Sequence, residues 1–303
     1  MPAAPAASSF ALDALPERYR VILCDIWGVV HDGMRLNPGA AARLHQWREQ
    51  GRFVVLITNA PRTADAVQGQ LDGLGLPRSC RDAIVTSGEA GIEALNALDE
   101  PVGFIGTQGD RSVLEGRHVR IATADDFSDL ACTGLQDDRC VLEGRHVRIA
   151  TADDFSDLAC TGLREDRPEP EQYRAELARL AQCGVRLHCL NPDRVVMHGG
   201  VAEACAGALA DIYEELGGAV VWYGKPHAAI YQHALHLAGD PPLDQVLAVG
   251  DGLQTDMLGA VRLGVDAVFI SGGIHAGEPF PAGFGAAHGL VAWKPIGVAE
   301  GLG

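Results

Sequence analysis

Positive charge is scarce in this 303-residue sequence, which has 24 Lys and Arg against 40 Asp and Glu. The formal net charge is −16, and only two of the cations are lysines, Lys225 and Lys294. A surface this negative repels nucleic-acid backbones and anionic lipid headgroups, so we expect neither a nucleic-acid polymer nor a membrane as partner. A phosphorylated ligand therefore requires a local positive charge.

Long apolar runs and cysteine pairs with metal-ligand spacing are also missing. No stretch approaches 18 uninterrupted apolar residues, and the eight cysteines include no CxxC pair. The first residues lack the basic and apolar segments of a secretory signal, so we expect a disordered leader over 1–18 and a cytoplasmic protein. Apolar residues make up 47% of the chain, which is enough for a large buried core.

The middle of the chain contains a tandem duplication. Residues 113–135 recur unchanged as 141–163, and with their flanks the two copies occupy 110–137 and 138–165. A solenoid would need several diverged copies, so this is not a repeat architecture. We expect a fold built for 275 residues, 28 fewer than the chain has. One set of strands should fill the original place, and the spare copy should add edge strands or form a surface excursion.

Outside the duplication, short apolar runs alternate with amphipathic stretches. This pattern is typical of an α/β fold with a doubly wound parallel sheet, because strands covered by helices on both faces are apolar throughout. The apolar runs occupy 21–24, 53–57, 83–85, 220–223, 246–249 and 267–270. Glycines that follow amphipathic stretches predict helices over 38–50, 203–216 and 256–263.

Polar residues come directly after four of these runs or one glycine later. They are Asp25, the Thr58-Asn59 pair, Lys225 and Asp251. Because ligands bind at the carboxyl ends of strands in open parallel sheets, we expect these side chains to share one site. Such a set suits phosphoryl transfer, in which an aspartate attacks phosphorus while a lysine and Mg²⁺ neutralise charge.

In their order along the chain, these residues resemble the four motifs of the haloacid dehalogenase (HAD) superfamily of hydrolases. The motifs are Asp25-Ile-Trp-Gly-Val-Val, Thr58-Asn59, Gly224-Lys225-Pro226 and Gly250-Asp251 through Asp256. The gap of more than 160 residues between Asn59 and Lys225 resembles class IIA, whose α/β cap is inserted between motifs two and three. The resemblance implies a Rossmann-like core of residues 19–86 and 199–303, with the cap and its duplication at 87–198.

The resemblance also implies a role for each residue. Asp25 and Lys225 are the implied catalytic residues, with Asp25 as the nucleophile. The implied phosphate ligands are Thr58, Asn59 and Lys225, and the implied Mg²⁺ ligands are Asp25, the backbone carbonyl of Trp27, Asp251 and Asp256. The expected function is Mg²⁺-dependent hydrolysis of a small phosphomonoester, such as a sugar phosphate or a nucleotide, through an aspartyl-phosphate intermediate. Since caps of this class often pair, the resemblance also suggests a homodimer.

Trp27 departs from the family pattern. The phosphatases of the family have a second aspartate at this position, which protonates the leaving oxygen and later activates water. General acid-base catalysis contributes roughly 10²–10⁴-fold to a rate, so we expect a slow phosphatase in which His31, Asp32 or a metal-bound water supplies the proton. The alternative is a catalytically impaired HAD-fold module that binds a phosphorylated metabolite.

Other classes of protein match the sequence less well. Members that cleave carbon-halogen or carbon-phosphorus bonds also lack this acid. The Gly250-Asp251 pair indicates a metal and so argues against the dehalogenases. Cleavage of a carbon-phosphorus bond needs a Schiff-base lysine, and Lys225 already has another role. A receiver-type signalling domain phosphorylates a strand-end aspartate too, yet it has no insertion of over a hundred residues. A dinucleotide-binding fold needs G-x-G-x-x-G after its first strand, and the sequence has none there.

Overall fold

The computed structural model describes residues 10–107, 109–110, 121–122, 139–142, 145–148, 155–198 and 201–303. In these residues the strands are β1 (Val21–Asp25), β2 (Phe53–Thr58), β3 (Ala83–Thr86), β4 (Val102–Ile105), β5 (Ile121–Ala122), β6 (Arg139–Leu142), β7 (Arg145–Arg148), β8 (Asp157–Cys160), β9 (Arg186–Cys189), β10 (Val195–His198), β11 (Val201–Ala204), β12 (Ala219–Trp222), β13 (Val246–Gly250), β14 (Asp266–Ile270) and β15 (Gly297–Ala299). The α-helices are α1 (Ala40–Glu49), α2 (Ala64–Gly73), α3 (Ser87–Asn96), α4 (Arg174–Gln182), α5 (Ala206–Glu215), α6 (Ala228–Leu237), α7 (Leu258–Leu263) and α8 (Phe284–Ala287).

The larger sheet has six parallel strands in the order β15-β14-β13-β1-β2-β3. Its strands are almost wholly buried because separate hydrophobic clusters cover the two faces. The predicted doubly wound α/β sheet is therefore confirmed. Strand β1 lies at the point where the strand order reverses, and ligands bind beyond the carboxyl end of such a strand.

The second sheet is also parallel and has the order β12-β9-β8-β4-β5. Helices α4 and α5 cover one face with Leu177, Leu180, Leu209 and Tyr213. Helix α3 contributes Ile92 and Leu95 to a smaller cluster on this sheet. All five strands of this sheet lie between β3 and β13 of the larger sheet in the chain, as the expected cap insertion requires.

Strand β12 corrects the predicted end of the inserted unit. The sequence predicts that the run 220–223 belongs to the core sheet and that the chain returns to the core at residue 199. In the structure β12 pairs with β9, with Val220 opposite Leu187, so the chain stays with the second sheet through Trp222. Both sheets are parallel with buried strands, and apolar patterning does not distinguish between them.

The predicted helix over 203–216 begins later than expected. Val201–Ala204 is instead strand β11, which pairs antiparallel with β10 so that Val201 lies opposite His198. Helix α5 starts at Ala206. Strand pairing thus overrides the helical pattern over the first residues of the segment.

The predicted disordered leader is wrong for residues 10–18. Leu12 and Leu15 are buried in the core of the larger sheet, and the Phe10 amide donates a 2.8 Å hydrogen bond to the Val298 carbonyl. These apolar side chains tie the segment to the sheet, because their burial offsets the entropy of ordering it. Residues 1–9 lie outside the described residues.

The duplicated region contributes to the second sheet in a way that the sequence analysis did not predict. Strand β5 comes from the first copy and pairs with β4, whereas β8 comes from the second copy and lies between β4 and β9. One strand set is therefore assembled from both copies. The chain between them includes β6 and β7, which pair with each other as a separate antiparallel ribbon.

Within the described ranges, no helix is both long enough and apolar enough to cross a membrane. The expected cytoplasmic location stays a prediction.

Candidate active site

Three strands of the larger sheet end in polar side chains at the same edge. Asp25 is the last residue of β1, Thr58 is the last residue of β2, and Asp251 directly follows β13. These strands are neighbours, with β1 between the other two. All three side chains are buried, at 6%, 2% and 4% exposure. The structure therefore brings these predicted residues together.

Lys225 reaches the same place from the second sheet. It lies three residues beyond β12, and its ammonium Nζ donates to Asp25 Oδ1 at 2.5 Å and to Asp256 Oδ1 at 2.8 Å. Its side chain is 3% exposed. The buried ammonium thus bridges two carboxylates at the carboxyl edge of the larger sheet.

Asn59 fixes the backbone of Lys225. The Lys225 amide donates to Asn59 Oδ1 at 2.7 Å, and Asn59 Nδ2 donates back to the Lys225 carbonyl at 3.1 Å. Asn59 Nδ2 also donates to Asp193 Oδ1 at 2.8 Å. The contacts of Asn59 are therefore with the protein, and its predicted role as a phosphate ligand stays a prediction. The Thr58 hydroxyl accepts a 3.2 Å bond from the Ala60 amide, which leaves its own hydrogen for a ligand.

Three carboxylates form a cluster around this lysine. Oxygen atoms of Asp25, Asp251 and Asp256 all lie within 4.8 Å of one another. Asp256 lies in a π-helical turn, Leu253–Met257, directly before α7, and not at the start of the helix predicted over 256–263. Backbone amides orient each carboxylate: Ile26 donates to Asp25 at 2.7 Å, Ile274 to Asp251 at 2.7 Å and Gly252 to Asp256 at 3.1 Å.

The cluster has an excess of negative charge. Burial, followed by the charge of Asp256, raises the pKa of Asp25 well above its ordinary value, and the same two causes raise the pKa of Asp251 to about 6. Burial alone would lower the pKa of Lys225, but Asp25 and Asp256 outweigh burial and raise it. One ammonium therefore faces three carboxylates, and this oxygen set fits a hard divalent cation such as Mg²⁺.

Asp193 is a site residue that the sequence analysis did not assign. It lies in the connection between β9 and β10, accepts the Asn59 amide and has a pKa raised by burial. It also lines the cleft above the carboxylates. The turn Asn191-Pro192-Asp193 was the available sequence signal, since such turns favour Asn, Pro and Asp. Its partner Asn59 is 134 residues away in the chain, so the contact required the fold.

A cleft of about 640 Å³ opens over the cluster. Trp27 lines it and is half-buried, whereas His31 is buried and does not line it. Burial lowers the pKa of His31 to about 4, against a smaller opposing effect of Asp32. Asp32 lines the cleft, and hydrogen bonds from the Met34 and Arg35 amides lower its pKa. Near neutral pH, His31 is therefore uncharged and Asp32 is a carboxylate.

A parallel α/β sheet whose central strand ends in a buried carboxylate-lysine cluster, with a second sheet inserted beside it, defines a hydrolase with a Rossmann-like core and an inserted α/β cap. Residues 22–120 match the family described as haloacid dehalogenase-like hydrolase, and residues 222–291 match the HAD-hydrolase-like family. A haloacid dehalogenase-like hydrolase from Brucella suis 1330 has 32% sequence identity and a TM-score of 0.76, over 96% of this chain and 98% of that chain.

One phosphatase is a more distant relative, and a second phosphatase shares the fold. Ribonucleotide monophosphatase NagD of Escherichia coli K12 is 26% identical over 264 residues, which cover 84% of this chain and 88% of NagD. A glycerol phosphate phosphatase from Mycobacterium tuberculosis, solved in complex with magnesium, shares the fold at 22% identity and a TM-score of 0.62, over 94% and 75% of the two chains. The chain belongs to the haloacid dehalogenase-like hydrolase family, with the cap arrangement of class IIA.

Proposed function

We propose that the protein is a Mg²⁺-dependent phosphatase that hydrolyses a small phosphomonoester through an aspartyl phosphate on Asp25. The observation that carries the proposal is the convergence of Asp25, Asp251, Asp256 and Lys225 at one buried point at the edge of the sheet. The names of two relatives, a ribonucleotide monophosphatase and a glycerol phosphate phosphatase, support the same reaction class.

The metal would be held by Asp25, Asp251 and Asp256, together with the backbone carbonyl of Trp27. The three carboxylates fit Mg²⁺ because they are oxygen ligands, close together, and only partly neutralised by Lys225. When bound, Mg²⁺ neutralises the charge of the phosphate oxygens and so permits the approach of an anionic nucleophile.

The residues of the chain prepare the attack. Asp25 Oδ1 accepts the Ile26 amide and the Lys225 ammonium, so the carboxylate is held in one orientation and Oδ2 is the attacking oxygen. The bond from Asp25 Oδ2 to phosphorus forms as the bond from phosphorus to the leaving oxygen breaks. Lys225 and the Thr58 hydroxyl then neutralise and bind the phosphoryl oxygens.

Trp27 occupies the position where a carboxylic acid would assist both steps. Turnover should therefore be slow, because protonation of the leaving oxygen and activation of water are each worth roughly 10²–10⁴-fold. The same residue supports a second candidate function, a catalytically impaired module that binds a phosphorylated metabolite in the cleft. The suggested homodimer stays a prediction, which size-exclusion chromatography with light scattering tests.

The decisive experiment is an assay of the full-length protein on a panel of phosphomonoesters with Mg²⁺ or with EDTA. We expect hydrolysis only with Mg²⁺, and a loss of at least about 10³-fold in Asp25→Asn, which keeps the shape of the side chain but removes the nucleophile. Asp244→Asn is the matched control, since Asp244 is exposed and lies outside the cleft.

Full activity in Asp25→Asn would exclude Asp25 as the nucleophile. A protein that hydrolyses no ester on the panel, yet binds an ester in a Mg²⁺-dependent manner by calorimetry, would instead establish the binding module.

A further inference from the structure

Trp27 is firmly positioned in the wall of the cleft. Its ring meets His31 and His198 edge to face, with ring centroids 4.8 Å and 6.0 Å apart. On another side it faces Gly33, which has a φ of 91° and where a Cβ would lie 2.7 Å from two ring atoms. Only glycine leaves room for the indole here. Trp27 is therefore held in a fitted slot, in place of the acid, and lines the cleft from it.

Apolar side chains extend the surface of Trp27 along the cleft. Strand β10 contributes Val195, Val196 and Met197 to the lining, and Ile274 lines it as well. Val195, Met197 and Ile274 are 41%, 42% and 46% exposed, so apolar area is left uncovered beside the phosphate end. An indole with aliphatic neighbours is a surface on which a flat, apolar group packs well.

The charges of the cleft exclude a second anion. Among the described residues that line it, Lys225 is the only lysine or arginine, and it already pairs with Asp25 and Asp256. Besides Lys225 and the aspartates of the cluster, the charged residues of the lining are Asp32, Asp193 and Glu300. A carboxylate or second phosphate on the leaving group would meet only negative side chains there.

The cleft also lacks a ready proton donor for the leaving oxygen. No histidine, cysteine or tyrosine is among the described residues that line it. Asp32 accepts hydrogen bonds from two backbone amides, those of Met34 and Arg35, at 2.9 Å each, which is the bonding pattern of an ionised carboxylate. Asp193 lines the cleft, but its Oδ1 accepts a hydrogen bond from the Asn59 amide.

We propose that this site is specific for phosphate monoesters of flat, uncharged hydroxyl compounds whose anions are weakly basic, such as phenols or enols. The flat group of the ester packs on Trp27. The proposal rests on the proposed function. As Asp25 Oδ2 bonds to phosphorus, the phosphorus-oxygen bond breaks and its electron pair leaves on the oxygen as a phenolate or enolate, which needs no proton from the enzyme. Water then attacks phosphorus, and the bond from phosphorus to Asp25 Oδ2 breaks. This step releases phosphate and the Asp25 carboxylate, and the proton of the attacking water passes to solvent.

The test compares phenyl phosphate with benzyl phosphate in the full-length protein with Mg²⁺. Both carry the same ring, but the benzyl alkoxide is far more basic than phenolate. We expect kcat/KM to be at least about 100-fold higher for phenyl phosphate, since only the benzyl ester depends on protonation. Across substituted phenyl phosphates, kcat/KM should fall as the pKa of the phenol rises. A 4-carboxyphenyl ester should be hydrolysed less well than the 4-acetylphenyl ester.

Two variants separate packing from proton transfer. Trp27→Leu should raise KM for aryl esters several-fold with little change in kcat, because it removes the flat surface. Trp27→Asp should narrow the difference between phenyl and benzyl esters by about 10-fold or more, because it supplies the acid. Trp222→Leu is the matched control, since Trp222 lies on the edge strand β12 and does not line the cleft.

Equal kcat/KM for phenyl and benzyl phosphate would overturn the proposal, as would an unchanged KM in Trp27→Leu. These outcomes require a working phosphatase, so they are distinct from failure of the proposed function, in which neither ester is hydrolysed.

Discussion

A single buried histidine joins the second sheet to the segment that carries Lys225. His188 Nε2 lies 2.7 Å from Asp157 Oδ1, and His188 Nδ1 lies 2.8 Å from the Tyr223 hydroxyl. With Asp157 accepting from Nε2–H, Nδ1 accepts from Tyr223. Arg186 donates to the same Asp157 oxygen at 2.6 Å. Because Tyr223 is two residues before Lys225, this chain of hydrogen bonds fixes the start of the lysine segment.

The histidine should make stability depend on pH. Burial lowers the pKa of His188, although Asp157 opposes the shift. The unfolded chain therefore binds this proton more readily, so the contribution of His188 to the free energy of unfolding should fall as the pH decreases through about 6.5. The lowered pKa of Asp157 affects stability only below the ordinary value of 3.8, which is outside the pH range of the His188 effect. His188→Gln should reduce the slope between pH 7.5 and 5.5 in urea unfolding.

A suitable control for this measurement is His236→Gln, since His236 is an exposed histidine on α6. The same pH slope in His188→Gln as in the native chain would show that another group causes the dependence.

The site residues that could be predicted are those at strand ends. Asp25, Thr58 and Asp251 each follow an apolar run, so their convergence is a consequence of parallel pairing. Asp193 and His188 do not follow any of the predicted apolar runs, and their partners lie 134 and 31 residues away in the chain. Local patterns thus predict which residues reach the edge of the sheet, whereas the contacts between the two sheets depend on how those sheets pack.

Among the elements, the link between β12 and α6 determines where the lysine lies. Gly224 has a φ of 87°, and a Cβ there would lie 2.5 Å from Asn59 Oδ1 and 2.7 Å from Ser87 Cβ. The link therefore needs glycine for both conformation and space. Sequence patterning did not place β12 correctly, yet it placed Lys225 in the site, because the short link reaches the larger sheet from the second one.

Gly224→Ala should impair activity and stability together. The new methyl group pushes on Asn59, which holds the Lys225 backbone, so we expect kcat to fall at least about 10-fold and unfolding to cost about 1–3 kcal/mol less. Gly217→Ala measures the effect of the left-handed backbone conformation alone, since Gly217 has a φ of 81° and no atom lies within 4 Å of its Cβ position. An equal kcat in Gly224→Ala and Gly217→Ala would show that the contact with Asn59 does not cause the loss of activity. Activity assays and urea unfolding provide the two measurements.

For the whole molecule, the duplication lengthens one connection, and the described residues give the second sheet five strands. Residues 123–156 separate β5 from β8, and 28 of them repeat sequence that the chain already has. Apolar patterning predicted the larger sheet and the resemblance implied an α/β cap, but two identical copies gave no sign of which copy supplies each strand. Only the packed structure distinguishes them.

Deletion of residues 124–151 should leave a working protein. Thr123 then joins Ala152, which restores the sequence of a single copy, and both β5 and β8 are kept. The shorter loop should raise the free energy of unfolding by about 1–2 kcal/mol, because closing it costs less entropy. Urea unfolding measures this gain, and kcat/KM should be unchanged. A variant that fails to fold would show that the β6-β7 ribbon is an integral part of the fold.

The shared origin of β5 and β8 also bears on folding. The two strands could both come from the first copy, both from the second, or one from each. Since the copies are identical, every choice would present the same side chains to β4 and β9. The chain can therefore follow three equivalent paths through the second sheet, which differ only in where the spare 28 residues form a loop. Side-chain fit does not select among them, so the choice falls to loop-closure entropy and to the order in which strands emerge during synthesis.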